Sequence, residues 1–220
     1  MKTFVALKLQ GVMQAWGGHT FEDFRHTELI PTRSALLGLL GACLGIDRHD
    51  AKRQTELAKS VSIAVRADQR DACTPMRITD FHTVLDARKV DGKINPHPVV
   101  SRREYWCDAC YTVLLEMLEG APFDANQLEQ ALQKPVYTPF LGRRSCPPSR
   151  PLYEATLEAA DFESAFDLIE PRAGVIYSEQ QPADGGTSYR LRDTPLYDRK
   201  RQFASRQLYI SRQGEQHAPE

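Results

Sequence analysis

Hydrophobic and polar residues alternate along the first ten positions of the chain. Over residues 3–9, Val5, Leu7 and Leu9 point to one side, while Phe4, Ala6 and Lys8 point to the other. A period of two is typical of a β-strand. The chain is therefore expected to begin with a strand that has a well-filled inner face.

A helical pattern follows Pro31. Thr32 is a suitable N-cap, and Gly45 is suitably placed to end the helix. An apolar stripe at helical spacing lies between them, formed by Leu36, Leu37, Leu40, Cys43 and Leu44. Two glycines inside the helix, Gly38 and Gly41, each cost about 1 kcal/mol relative to alanine. We therefore expect another part of the molecule to approach this face closely, and a packed sheet is the simplest candidate.

The remaining elements complete an α+β pattern. Strands are predicted at residues 61–67 and 111–118, and Asp124 opens a second helix through a capping box with Gln127. Strand, helix, strand, strand, helix, strand is the ferredoxin-like order shared by RNA-recognition (RRM-like) domains. Beyond residue 135 the chain is rich in proline and glycine, so we expect an irregular β-rich C-terminal part. Its short strands are predicted at residues 152–157, 175–178 and 203–210.

A long insertion separates the second and third predicted strands. Residues 69–106 far exceed the 2–5 residues of an ordinary hairpin loop. Residues 78–85 and 99–106 show alternation, with turn signals at Asp91-Gly92 and Asn95-Pro96 between them. We interpret the insertion as a protruding β-hairpin, carried by a body made of residues 1–68 and 107–220. Such an arm is marginally stable alone, so it is expected to hold a partner.

Length and composition limit the class of protein. The 220 residues, 41% of them hydrophobic, fit one domain with an insertion. No apolar run approaches the roughly 18–20 residues of a membrane span, and residues 1–9 lack the apolar core of a signal peptide. Five cysteines, an odd number without a regular framework, favour a reducing compartment. We therefore expect a cytoplasmic protein that does not bind a membrane.

The formal net charge of −1 hides a segregation of charge along the chain. Residues 134–153 contain four basic residues and no acid, residues 154–170 contain six acids and no base, and residues 199–212 contain five bases and no acid. Arginine outnumbers lysine by 20 to 8. Because arginine offers a planar fork to phosphate and stacks on bases, this composition favours RNA as a partner.

Catalytic and metal-binding patterns are weak. Cys107 and Cys110 have the C-x-x-C spacing of a zinc or redox pair, but no second pair matches it, so we interpret them as core-filling residues. Of the six histidines, only His82 lies among plausible RNA contacts, and a binding or structural role fits it better than catalysis. His19, His26 and His49 lie in polar loops and His217 lies in the C-terminal tail. No metal or cofactor is predicted.

Residues 137–145 have the composition of an RNA-binding segment. Tyr137 and Phe140 are suited to stacking on bases, as single-stranded RNA recognition favours. Gly142 would allow close approach to phosphate, and the segment ends with two charges and a hydroxyl, from Arg143, Arg144 and Ser145. A second anion site is predicted at the positive end of the first helix, at Arg33 and Ser34.

Five motifs resemble the Cas five family, the RAMP-superfamily subunits of the type I-E CRISPR surveillance complex called Cascade. They are GVMQAWG at 11–17, PTRSALLGLLGACLG at 31–45, DFHTVL at 80–85, LGRRSCP at 141–147 and RQFASR at 201–206. The resemblance runs in order along the chain to about residue 209. It implies a RAMP-type RNA-recognition fold whose inserted hairpin is a thumb.

The resemblance also implies a function. Members of this family cap the 5′ handle of the CRISPR RNA, and the thumb engages the backbone subunit, CasC. The large subunit, CasA, is implied as a second partner, and target DNA is contacted only through the complex. In type I-E systems another subunit cuts the precursor RNA, which implies a non-catalytic role here. The alternative is a metal-independent endoribonuclease that processes CRISPR repeat RNA, as in a related subtype, and a free-standing RNA chaperone explains the arm poorly.

The residues expected to contact RNA come from the composition of the segments above and from the family motifs. The motifs and the base of the arm add four residues to those already named. The full set is Gln14, Trp16, Arg33, Ser34, His82, Arg102, Tyr137, Arg143, Arg144, Ser145 and Arg206.

Overall fold

A computed structural model describes residues 1–18, 23–71, 73–182, 186–197 and 202–213. His19, His217 and the basic residues 199–201 lie outside the described residues. The helices are α1 (Arg33–Cys43), α2 (Ala51–Ser60), α3 (Ala125–Gln133) and α4 (Phe162–Asp167). The strands are β1 (Lys2–Gln10), β2 (Met13–Gln14), β3 (Phe24–Arg25), β4 (Val61–Asp68), β5 (Met76–Val84), β6 (Val99–Cys107), β7 (Cys110–Met117), β8 (Tyr153–Ala159), β9 (Gly174–Ser178), β10 (Thr187–Pro195) and β11 (Phe203–Gln213).

The fold is mixed α/β with mostly antiparallel sheets. The main sheet has seven strands in the order β10-β11-β9-β4-β7-β1-β8, and every neighbouring pair in it is antiparallel. A smaller sheet is centred on β6, which pairs with β2, with β5 and, in parallel, with β3. No helix among the described residues is long and apolar enough to cross a membrane.

Both faces of β1 are buried. Val5, Leu7 and Leu9 pack into a core with α1, α2 and α3 on one side of the sheet. On the other side, Phe4 packs with Phe162 of α4, their ring centroids 5.3 Å apart. The alternation in the sequence therefore separates two buried layers. Although Lys8 is a charged residue, the face of β1 that carries it is buried and not solvated.

Lys8 belongs to a buried polar cluster beneath α4. Its Nζ donates to Asp68 Oδ2 at 2.8 Å and to Thr112 Oγ1 at 2.6 Å. Arg66 donates from Nε to Asp68 Oδ1 at 2.8 Å and also donates to the Phe166 carbonyl oxygen, at the end of α4. The two cations share the single carboxylate of Asp68, and hydroxyl and carbonyl oxygens accept their remaining hydrogen bonds, which lets the interior hold both.

The helix-capping predictions are confirmed. Thr32 caps α1 by accepting a hydrogen bond from Ala35 N, and Gly45 follows the C-cap with φ of +68°. Asp124 and Gln127 form the predicted capping box of α3. The pattern did not predict α2, α4 or β10. Helix α2 buries a single large apolar residue, Leu57, and α4 has only six residues, so neither carries a readable apolar period.

Strands β5 and β6 form an antiparallel hairpin over nine residue pairs, from Met76 opposite Cys107 to Val84 opposite Val99. They overlap the two strands predicted in the insertion. At the base, Tyr105 is buried and belongs to the main core. The outer half exposes large apolar side chains on both strands, namely Phe81, Val84, Leu85, Val99 and Val100. The hairpin is thus anchored at one end and uncovered at the other.

Candidate nucleic-acid interface

The segment after α3 is tied to the end of α1 by its backbone. Val136 N donates to the Cys43 carbonyl oxygen at 3.0 Å, and Tyr137 N donates to the Ala42 carbonyl oxygen at 3.1 Å. The rings that follow remain accessible, with Tyr137 52% exposed and Phe140 40% exposed. Two aromatic side chains are thereby held at the surface beside α1, as stacking on bases requires.

Gly142 is needed for packing within the chain. Its φ is +84°, and a Cβ built on it would lie 1.7 Å from the carbonyl oxygen of Ala15. The sequence interpretation, in which Gly142 lets phosphate approach, is corrected here: the group that approaches the glycine is the Ala15 carbonyl. No side chain fits at this position, so the glycine fixes the path of the segment.

The two adjacent arginines differ in their surroundings. Arg143 turns inward, donating to the Glu104 carbonyl oxygen at 2.9 Å and to the Arg25 carbonyl oxygen at 3.1 Å. Its guanidinium also lies 4.5 Å from the centroid of the Tyr105 ring. Arg144 is exposed and has no hydrogen-bond or ion-pair partner within the described parts of the chain. Arg143 therefore fastens the segment to the hairpin base, and only Arg144 presents an uncompensated charge.

The predicted anion site at the start of α1 is filled by the protein itself. Asp193 Oδ2 accepts a hydrogen bond from Arg33 N at 2.7 Å, which places a carboxylate at the positive end of the helix. The Arg33 guanidinium pairs with Glu179 and donates to the Ala58 carbonyl oxygen at 2.8 Å. The charge of Arg33 is therefore already neutralised by carboxylates of the protein. The neighbouring Ser34 is only partly buried.

Arg206 completes this network. Its Nε and Nη2 donate to the two oxygens of Asp193 at 2.7 and 2.8 Å, and its Nη1 donates to Glu179 at 2.7 Å. Burial alone would lower the pKa of Arg206, but the hydrogen bond and charge of Asp193, with Glu179, raise it above its usual value. Arg33 and Arg206 are thus two cations held by two carboxylates, which join α1 to β10, β11 and the end of β9.

Gln14 and Trp16 lie in the core. Gln14 is fully buried and donates to the Ala109 carbonyl oxygen at 2.7 Å. Trp16 is also buried, with its ring edge-on to Tyr111 at a centroid distance of 6.3 Å. The prediction that Gln14 and Trp16 contact RNA is therefore corrected, because both side chains are buried in the core.

Two further predicted residues lie on the hairpin. His82 Nε2 lies 3.1 Å from the Tyr105 hydroxyl and 2.9 Å from Asp80 Oδ2. Arg102 is exposed, with its guanidinium 5.5 Å from the centroid of Phe81. Both side chains remain at least partly accessible, and His82 is linked through Tyr105 to Arg143 of the segment after α3.

A groove of about 710 Å³ brings together residues from distant parts of the sequence. Its lining includes Ser34 and Gly38 of α1, Tyr137 and Phe140, and Tyr197 after β10. Gly38 is exposed, and a Cβ built there would meet nothing within 4 Å, so the sheet expected to pack against this glycine is absent from its surroundings. Gly41 meets only ordinary contacts, with Ile46 at 3.9 Å and Leu57 at 4.0 Å.

The cysteines form no ligand cluster in the described structure. Cys110 is buried, and burial, with the nearby charge of Asp68, raises the pKa of its thiol to about 11. Burial also raises the pKa of Cys107. Among the described residues no group of three or more His, Cys, Asp or Glu side chains is placed to hold a metal ion. These surroundings fit the interpretation of the pair as packing residues.

The chain belongs to the Cas5 family of CRISPR-associated proteins, whose family model matches residues 4–209. It is 44% identical over 221 residues to the CRISPR system Cascade subunit CasD of Escherichia coli (strain K12), covering 97% of this chain and 98% of that protein. The family resemblance of the sequence motifs is therefore confirmed.

Solved structures extend the comparison to three dimensions. A chain of a CRISPR RNA-guided surveillance complex superposes with a TM-score of 0.73 at 25% identity, covering 96% of this chain and 90% of that one. A crystal structure of a Cas protein gives a TM-score of 0.65 at 27% identity, covering 95% and 94%. Both similarities extend over nearly the whole length of this chain.

Sequence reasoning missed part of the groove. Tyr197 belongs to none of the motifs, and Gly38 was interpreted as a site of internal packing. The signal that could have identified Gly38 is its position outside the apolar stripe of α1, because a helical glycine that faces solvent has no packing reason to be there.

Proposed function

We propose that this chain is a subunit of a Cascade-type CRISPR surveillance complex and caps the 5′ handle of the CRISPR RNA without cutting it. The observation that carries the proposal is the full-length match to a Cascade subunit, at 44% identity over 97% of the chain. Its site of action is the cytoplasm, where CRISPR RNA is held by the assembled complex. The five free cysteines are consistent with that compartment.

The fold that supports this function is a RAMP domain with a ferredoxin-like core. Its proposed elements, in chain order, are β1, α1, β4, β7, α3 and β8, which repeat the strand, helix, strand, strand, helix, strand order of RRM-like domains. In support, the four strands are neighbours in the main sheet, in the order β4-β7-β1-β8. Helix α2 is an addition between the first helix and the second strand.

The RNA-binding surface is proposed to run from the α1 groove to Arg144 and Ser145. Both residues are exposed, and the segment 134–153 that carries them has no acidic residue. Phosphate is attracted to such a surface because no neighbouring carboxylate in the segment repels it. The aromatic rings of Tyr137 and Phe140 would face the bases while Arg144 faces the backbone of the RNA.

The hairpin is proposed to act as a thumb. Its outer half exposes Phe81, Val84 and Leu85, and exposed apolar clusters of this kind mark interaction surfaces. The partner is the backbone subunit, CasC, with His82 and Arg102 facing the RNA held between the two proteins. The large subunit, CasA, would lie near the capped end, and target DNA would be contacted through the complex only.

Salt dependence of RNA binding tests the surface at Arg144. For a labelled CRISPR repeat RNA, Arg144→Ala should reduce the slope of log K against log salt by about 0.7, the value for one phosphate on a single strand. Arg150→Ala is a matched control, because Arg150 lies in the same basic segment but pairs with Glu154. An Arg144→Ala protein with unchanged slope and affinity would contradict the proposed surface.

Endoribonuclease activity is the second candidate, and one observation favours it. His82, Tyr105 and Asp80 form a hydrogen-bonded group of the kind that acid–base cleavage of RNA uses. Tyr105, however, is only 2% exposed, so its hydroxyl serves to position His82. Incubation of the pure protein with repeat RNA, without and then with metal, should yield no specific product. Cleavage that is lost in His82→Ala would favour the nuclease instead.

A further inference from the structure

One residue in the lining of the groove is a glycine in the middle of a helix. Gly38 lies near the centre of α1, where glycine is less favourable than any residue except proline. Internal packing does not explain it, because a Cβ at this position would meet nothing within 4 Å. A glycine is otherwise used where another group must lie directly on the backbone. The chain itself supplies no such group among its described residues.

The walls of the groove suit a flat ring. Tyr137 and Phe140, both substantially exposed, line the groove, and Tyr197 contributes from the turn after β10. The lining also includes the hydroxyl of Ser34 and the amide of Gln54. Aromatic faces above a bare backbone, with hydrogen-bonding groups nearby, are the features that recognise an unpaired base.

Charge favours nucleic acid over a protein side chain as the occupant. The wall that contains Phe140 continues through Gly142, also part of the lining, to the unpartnered Arg144. Two charged residues line the groove itself, Asp47 and Arg48. Asp47 Oδ1 already accepts a hydrogen bond from His49 N at 2.7 Å, whereas Arg48 is exposed and has no hydrogen-bond or ion-pair partner among the described residues. Arg48 in the lining and Arg144 beyond Gly142 therefore favour a ring that is attached to an anionic backbone.

We infer that an unpaired nucleobase of the bound RNA lies flat on the α1 backbone at Gly38, with its phosphate directed toward Arg144. The inference rests on the proposed RNA-binding function and adds a specific base subsite to it. Gly38 is then a specificity-determining residue, because any side chain there would occupy the plane of the base.

A size series at one position tests the subsite. Gly38→Ala and Gly38→Leu both raise helix propensity, so each should raise the thermal midpoint of the free protein, by about 2–4 °C for alanine. Affinity for labelled CRISPR repeat RNA should nevertheless fall, by about 5-fold for alanine and by up to about 100-fold for leucine, the range expected for loss of one stacked base. Gly17→Ala, at an exposed glycine that also has open space around it, should bind as the wild type does.

The possible results distinguish the base subsite at Gly38 from the proposed RNA-binding function on which it rests. If both Gly38 variants bind RNA as tightly as the wild type, while Arg144→Ala still lowers the salt slope, the subsite is wrong and the RNA-binding function stands. If the wild-type chain binds no RNA, both the base subsite and the RNA-binding function are wrong. If Gly38→Leu binds RNA normally but no longer joins the complex, the occupant is a protein group and the inference is overturned.

Discussion

Replacement of Arg206 distinguishes a structural arginine from an RNA-binding one. The side chain is 12% exposed and makes three charge-assisted hydrogen bonds, two to Asp193 and one to Glu179. Loss of one member of a buried ion pair costs about 3–5 kcal/mol, chiefly because the remaining charge stays buried. Both carboxylates keep a contact with Arg33 after the replacement, through its guanidinium and its N–H. The lower end of that range, about 3 kcal/mol, is therefore expected for Arg206→Ala.

Equilibrium unfolding in urea measures this cost directly. Arg206→Ala should lower the free energy of unfolding by about 3 kcal/mol with an unchanged m-value, and should lower the thermal midpoint by roughly 6–12 °C for a chain of this size. Arg206→Lys should recover only part of the loss, since an ammonium cannot form the two parallel bonds to Asp193. Arg190→Ala, on the exposed side of the neighbouring strand, is the control and should change stability by less than about 0.5 kcal/mol.

The refuting result is equally specific. An Arg206→Ala protein that unfolds like the wild type, yet binds RNA with a flatter salt dependence, would show that Arg206 contacts phosphate. It would also show that the network with Asp193 contributes little to stability. Arg33, which contacts the same two carboxylates, would then also be free to contact phosphate.

Three further outcomes follow from the packing. Gly142→Ala should destabilise the protein by more than about 3 kcal/mol in urea unfolding, since its methyl would lie 1.7 Å from the Ala15 oxygen; unchanged stability would refute the assigned geometry. Replacing residues 84–99 with Asn-Gly should leave a folded protein that no longer copurifies with backbone subunits, and normal assembly would show that the hairpin is dispensable. Cys43 and Cys110 have thiol pKa values of about 11, so only about 0.3% of each should be thiolate at pH 8.5. Both should therefore resist alkylation by iodoacetamide until the chain unfolds, which mass spectrometry can measure.

Features that depend on neighbouring residues were predictable from the sequence alone. The cap at Thr32, the capping box at Asp124 and the end of α1 at Gly45 are each set within one helical turn, so a local pattern is enough to predict them. The alternation in β1 and the family motifs belong to the same class of information. Local signals also explain why α2 was missed: a helix with a single large buried apolar residue has no period to read.

Which basic residues remain free to contact RNA depends on the three-dimensional fold. Arg143 and Arg144 are adjacent and identical in sequence, yet one donates to carbonyls of β3 and β6 and the other faces solvent. Arg33 lies in a family motif, but its helix end is occupied by Asp193, 160 positions away along the chain. Charge compensation acts through space at about 3 Å, whereas a sequence pattern reports separation along the chain. The unpartnered cations and the open glycine of this surface therefore depend on where the folded chain places the distant carboxylates and the aromatic residues of the groove.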